Sequence, residues 1–228
     1  MSQATGPLAS RLETRMAPAV DTLSLGPVGT NCYLVRAERG SPEAVVVDPS
    51  GDAAEIRLRL AGMGARCVGI LITHGHFDHL VGVADLAEGT GAPVHMPAGE
   101  RELLADASVH ASYAPVAVRS WTPEVLLVGG ETLELAGVTF EVIAVPGHSP
   151  AHLAYHADGA LFSGDVVFAG SVGRTDLPGA DWDTLLASIR TLAERFPPET
   201  IVYPGHGPAT TLGAELARNP FLAELRAS

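Results

Sequence analysis

Residues 73–79 read Thr-His-Gly-His-Phe-Asp-His, so three imidazoles and one carboxylate fall at His74, His76, Asp78 and His79. Imidazole nitrogen and carboxylate oxygen are the donors that borderline-soft divalent ions such as zinc take. Three more candidates each stand behind a glycine: His148 in Val-Pro-Gly-His, Asp165 in Phe-Ser-Gly-Asp and His206 in Tyr-Pro-Gly-His-Gly. A glycine lets the backbone turn sharply and the next side chain face inward. Taken singly, each of the three reads as a turn residue. Together with the 74–79 cluster they read as one metal site, and the seven positions use five of the nine histidines. Two metals ~3.5–4 Å apart can share a carboxylate, clamp a reacting carbonyl and bring the pKa of bound water to ~7.

Such a site needs strands to aim its loops. Short β-branched runs bounded by Gly or Pro turns predict strands at 20–25, 31–35 and 44–48. The apolar run 67–73 predicts a buried strand that delivers the His cluster. Helical spacing follows at 51–60, 78–88 and 98–105, with a strand at 93–96. Residues 132–135 and 138–145 flank Ala136-Gly137, and residues 152–156 and 160–163 flank Asp158-Gly159, so both pairs read as hairpins. His148, Asp165 and His206 come at or just past the ends of the strands at 138–145, 160–163 and 200–203. The best helix is 181–196, with Asp181 as cap and Leu185, Leu186, Ile189 and Leu192 as its apolar stripe. A helix at 212–225 is interrupted at Pro220, and 108–123 is irregular, a segment that could lie over a cleft. This mixture suits sheets covered by helices in one domain, 19–228.

Composition narrows the function. The chain has 228 residues, 26 acidic and 14 basic, for a net charge of −12. All fourteen basic residues are Arg. No basic stripe offers itself to nucleic acid, and an anionic membrane surface is no better a partner. No apolar run reaches the ~18 residues of a membrane span. Residues 1–18 carry two Arg and no apolar h-region, so they read as a flexible leader and not a secretory signal, and the expected location is cytoplasmic. Cys32 and Cys67 lie in apolar stretches and are expected to be buried, reduced and inert. Without Lys there is no phosphate-binding Gly-x-x-x-x-Gly-Lys loop, and neither a Gly-x-Ser-x-Gly elbow nor a dinucleotide fingerprint is present.

The set His74-x-His76-x-Asp78-His79, His148, Asp165 and His206 resembles the metallo-β-lactamase superfamily over nearly the whole chain. Within it, Gly173-Arg174-Thr175-Asp176 and Pro204-Gly-His-Gly-Pro208 followed by Asn219-Pro220-Phe221-Leu222 resemble the short bacterial glyoxalase II-type (hydroxyacylglutathione hydrolase-like) hydrolases. The resemblance implies an α+β fold, a four-layer αββα sandwich with metals at one edge. It implies His74, His76 and His148 on one metal, Asp78, His79 and His206 on the other, and Asp165 bridging. The cofactors implied are two divalent ions, zinc first and iron as the alternative. The implied activity is hydrolysis of a small-molecule thioester by a metal-bridging hydroxide that Asp78 helps to orient. The longer glyoxalase II proteins carry a basic C-terminal extension for glutathione. This chain runs 22 residues past His206 without Lys, which leaves the thiol carrier open. A second reading is a non-haem iron persulfide dioxygenase using His74, His148 and Asp165, a two-histidine, one-carboxylate set.

The remaining polar residues have plainer expectations. His152 and His156 are expected to be satisfied strand histidines, with hydrogen bonding to metal ligands as the other reading. Arg174 and Asp176 read as a structural pair beside the site. Thr30 and Asn31 read as makers of turn hydrogen bonds. His95 and His110 carry no assigned role.

Overall fold

The computed structural model describes residues 17–226. The expected leader, 1–18, lies outside the described residues but for its last two. One sheet has six strands in sequence order: β1 (Ala19–Leu25), β2 (Thr30–Arg36), β3 (Glu43–Val47), β4 (Arg66–Leu71), β5 (Val94–Pro97) and β6 (Val125–Leu127). The first three pair antiparallel and β3 to β6 pair parallel. Parallel neighbours need crossovers. These are α1 (Ala53–Gly62) after β3, α2 (Phe77–Leu80) with α3 (Val83–Thr90) after β4, and a 3₁₀ turn (Ala98–Glu100) with α4 (Arg101–Ala105) after β5.

The second sheet starts with the hairpin β7 (Thr132–Leu135) and β8 (Val138–Ala144), then β9 (Leu153–Ala157) and β10 (Ala160–Gly164). A small ribbon, β11 (Val167–Phe168) and β12 (Ser171–Val172), and the helix α5 (Trp182–Arg195) lead to β13 (Ile201–Pro204), which pairs parallel with β10. Strand β14 (Thr210–Thr211) closes that edge, and α6 (Leu212–Arg218) and α7 (Ala223–Arg226) follow. Both hairpin turns form as read: Ala136 and Gly137 have φ of 52° and 72°, and Asp158 and Gly159 have 41° and 84°. Two successive positive φ values give the primed turn that matches strand twist.

Alternation along the strands sorts side chains into three cores. Leu34, Val46, Ile70 and Ile72 point outward to Ile56, Leu60 and Leu86 of α1 and α3. Tyr33, Val45, Val47 and Leu71 point the other way and meet Phe140, Val142, Tyr155 and Phe162 of the second sheet. On the far face, Ile143, Ala154, Leu161 and Val202 pack under Leu185, Ile189 and Leu192 of α5. The layers are therefore α, β, β and α, the sandwich expected. Asp181 caps α5, accepting from Thr184 N at 2.8 Å.

The helix expected at 78–88 is two helices. Gly82 N donates to Pro49 O at 2.8 Å, and a Cβ there would lie 2.4 Å from Gly51 O. The chain is drawn against the 49–51 loop at that point and the helix restarts beyond it. The segment expected to be irregular holds a 3₁₀ turn (Ala107–His110) and no further element before β6.

Candidate metal centre

Four loops carry the site, and each leaves a strand at its C-terminal end. Strand β4 runs into His74, β8 into His148, β10 into Asp165 and β13 into His206, while Asp78 and His79 sit on α2. Two glycines let the loops close up. A Cβ on Gly205 would lie 2.0 Å from Asp165 Oδ1, and one on Gly173 would lie 1.9 Å from Asp165 O.

All seven residues come together. His76 Nδ1 lies 3.0 Å from His74 Nε2 and 2.9 Å from His148 Nε2. His74, His76 and His148 offer donor atoms within 4.8 Å of one another, as do Asp78, His79 and His206, and the set His74, His79, Asp165 overlaps both. Asp165 stands between: Oδ2 is 3.5 Å from His148 Nε2 and 3.4 Å from His206 Nε2, and Oδ1 is 3.4 Å from His79 Nε2. Asp78 Oδ2 lies 3.3 Å from His206 Nε2 and 3.5 Å from His79 Nε2. His76 and His206 are half-buried, which leaves their side of the cluster open to solvent.

The donor set fits divalent metal. His79 Nε2 and Asp165 Oδ1 are buried atoms with no hydrogen-bond partner, and both face the cluster. Buried polar atoms are seldom left so. Burial holds the His74 ring well below its usual pKa and brings His76 to about 4, with neighbouring rings adding to both. These rings present neutral nitrogens near pH 7. Burial works against ionisation of Asp165, yet His79 and His206 hold its carboxyl well below the usual range. Asp78 is likewise lowered, against burial, by His79, His206 and the Thr30 hydroxyl.

Outer partners fix the donors. His148 Nδ1 donates to the Arg174 carbonyl at 2.8 Å, which leaves Nε2 as its donor atom toward the cluster. His79 Nδ1 donates to Asp48 Oδ2 at 2.9 Å, and Asp48 also accepts from Thr73 N and Oγ1, both at 2.8 Å. Glu100 accepts from Gly75 N in the first loop and from Ser149 Oγ and Ala151 N in the loop of His148.

Several expectations change here. Thr30 and Asn31 do not serve a local turn. Thr30 Oγ1 donates to Asp78 Oδ2 at 2.7 Å, and Asn31 Nδ2 donates to Pro204 O and Gly207 O at 2.9 and 2.8 Å, holding the His206 loop. His152 takes the reading that touches the site: its Nε2 accepts from Asp165 N at 3.1 Å, and its ring stacks 4.6 Å from His74. His156 does not, since it accepts from Gly159 N and stacks on Phe196. Arg174 pairs bidentately with Asp176 at 2.6 and 2.7 Å, both exposed, as expected. Cys32 and Cys67 are free and buried, and burial pushes the Cys67 thiol up to about 11. Two functional residues, Asp48 and Glu100, are not among those the sequence reading singles out. Asp48 has the same signal as Asp165, an acid at the end of an apolar strand, but Glu100 has none. His110 joins Leu103 O and the Tyr113 hydroxyl, away from the metal donors. Among the described residues no helix is long and apolar enough to cross a membrane.

Comparison with known proteins agrees with this geometry. The family model described as the metallo-beta-lactamase superfamily matches residues 25–206, a span that includes all seven donors. The hydroxyacylglutathione hydrolase GloC of Haemophilus influenzae is 34% identical over 202 residues, 84% of this chain and 92% of that one. Among solved structures, BLEG-1, a B3 metallo-beta-lactamase, is 38% identical with a TM-score of 0.84, over 90% of this chain and 100% of its own. TTHA1623, solved in a di-iron-bound form, is 40% identical with a TM-score of 0.79, over 89% and 100%. On the family match, the sandwich and the clustered donors, the chain belongs to the metallo-β-lactamase superfamily.

Proposed function

We propose that the chain is a hydrolase of small thioesters that works with two divalent ions, zinc in the first place. His74, His76 and His148 would hold one ion, Asp78, His79 and His206 the other, and Asp165 would touch both. The position of Asp165 carries this reading: one carboxylate lies within 3.4–3.5 Å of nitrogens from both triads. A carboxylate shared between two triads is what a two-ion site uses. When bound, a divalent pair makes water ionise near neutral pH and polarises a carbonyl.

The chain's own residues do the rest. The neutral rings of His74 and His76 present lone pairs and not protons. Asp78 stays ionised, and the Thr30 hydroxyl on its Oδ2 fixes the carboxylate plane. Its Oδ1 is then the acceptor for a proton of the attacking water, which is the orienting role we assign it. Asp48 holds His79 from behind, and the Arg174 carbonyl holds His148. The half-buried side at His76 and His206 is where a substrate carbonyl enters. The choice of a thioester rests on the likeness to GloC along nearly its whole length.

Elemental analysis of the protein expressed without added metal tests this first, followed by a panel of thioesters on several thiol carriers and one β-lactam. The expected result is about two zinc ions per chain, as a two-metal site requires, and turnover of at least one thioester. About one iron per chain, with oxygen uptake on a persulfide, would overturn it in favour of His74, His148 and Asp165 as an oxygenase set. A β-lactam cleaved faster than every thioester would overturn the substrate class alone.

A further inference from the structure

Glu100 is 3% exposed, yet no Arg, His or Lys pairs with it among the described residues. A buried carboxylate without a cation is costly unless donors surround it. Here three donors converge on it, and no acceptor does. Gly75 N reaches Oε2 at 2.5 Å, and Ser149 Oγ and Ala151 N reach Oε1 at 2.6 and 2.9 Å. Gly75 lies between His74 and His76, and Ser149 directly follows His148. One side chain therefore ties together the two loops that supply a single donor triad.

Two glycines make room for this tie. A Cβ on Gly75 would lie 2.5 Å from Leu103 and 3.1 Å from Glu100 Oε2, and one on Gly99 would lie 2.8 Å from Ala151 Cβ. The 98–105 segment is thus pressed against both loops at once. Glu100 is not among the donor groups that cluster, and its oxygens face the two loops instead.

We infer that Glu100 is a positioning residue that sets the spacing of His76 and His148, and so the affinity of the His74, His76, His148 triad for its ion. The inference rests on the two-ion reading above. Glutamine is the sharp probe: it keeps the shape but turns an NH₂ toward one of the donors.

The test uses full-length protein stripped by chelation and titrated with zinc against a competing chelator. Cobalt(II) absorption, in a parallel titration, assigns the weakened triad. Wild type is expected to take two ions, and Glu100→Gln to bind the three-histidine ion ~10–100-fold more weakly with the other unchanged, the size of outer-partner effects. Melting with and without zinc separates this from mere packing: the zinc-dependent rise should shrink in the variant. Ser149→Ala, which removes one of the three donors and no charge, should weaken the same ion less. Equal affinities in wild type and both variants overturn the role of Glu100, even where the metal-free variant melts lower. If Glu100→Gln does not fold, an unchanged Ser149→Ala overturns it. A wild type that takes no second ion overturns the two-ion reading itself.

Discussion

His79 is a buried imidazole among three carboxylates. Burial alone would lower its pKa, but Asp78, Asp48 and Asp165 hold it well above the usual value. On the two-ion reading proposed above, a proton and a metal ion would compete for the same nitrogen, His79 Nε2, which makes no hydrogen bond and lies 3.4–3.5 Å from Asp165 and Asp78. Asp165 is the residue on which both triads depend. Asp165→Ala should lower bound metal from two ions per chain to one or none, by elemental analysis. Its turnover should fall by more than the ~10–100-fold that an outer hydrogen-bond partner costs. Arg174 gives the contrasting case. Its backbone carbonyl accepts from His148 Nδ1, and its guanidinium pairs with exposed Asp176. Arg174→Ala should therefore leave metal content unchanged, and loss of metal in that variant would show that the side chain, not the carbonyl, holds the loop.

Among the elements, the loop after β13 is the tightest fit. Gly205→Ala would place a methyl 2.0 Å from Asp165 Oδ1 and 2.9 Å from the His79 ring. Its neighbours are two of the proposed ligands, which cannot move aside without opening the cluster. The variant should fold, with far-UV circular dichroism like wild type, but fail to retain the metal pair through gel filtration. Full occupancy would refute the packing argument. The same loop shows what could be read from the sequence. His206 was visible because glycine and an apolar run precede it, a local signal. Asn31, which holds this loop, and Thr30, which holds Asp78 beside it, read as makers of local turn bonds because their partners lie 173 and 48 residues away. Likewise the hairpins announced themselves through Ala-Gly and Asp-Gly, whereas β6, β11, β12 and β14 are too short for alternation to show. The break at Gly82 depends on a contact with Pro49 and Gly51, which no helical pattern contains. Nothing in the sequence around Glu100 marks it, because its three donors are brought together only by the fold.

Over the whole molecule, stability and chemistry are held in different places. The three apolar cores lie between and outside the sheets, and the donors lie at one edge. Chelation should therefore leave the chain folded at room temperature while lowering its melting temperature. The metal contributes stability as RT ln(1 + [M]/Kd), about 4 kcal/mol at a thousandfold excess over Kd. Circular dichroism with and without chelator checks this, and loss of the whole signal at room temperature would make the metal structural instead. The two sheets also divide the donors between them. His74, His76, Asp78 and His79 follow the first sheet's β4, and His148, Asp165 and His206 follow strands of the second. Neither triad is complete within one half of the chain. During synthesis, the first half emerges with four potential donors but without the partners that would close either triad. On the two-ion reading, the two ions could be captured together only after the ribosome has passed His206, which would make metal loading a late event that reports a finished fold.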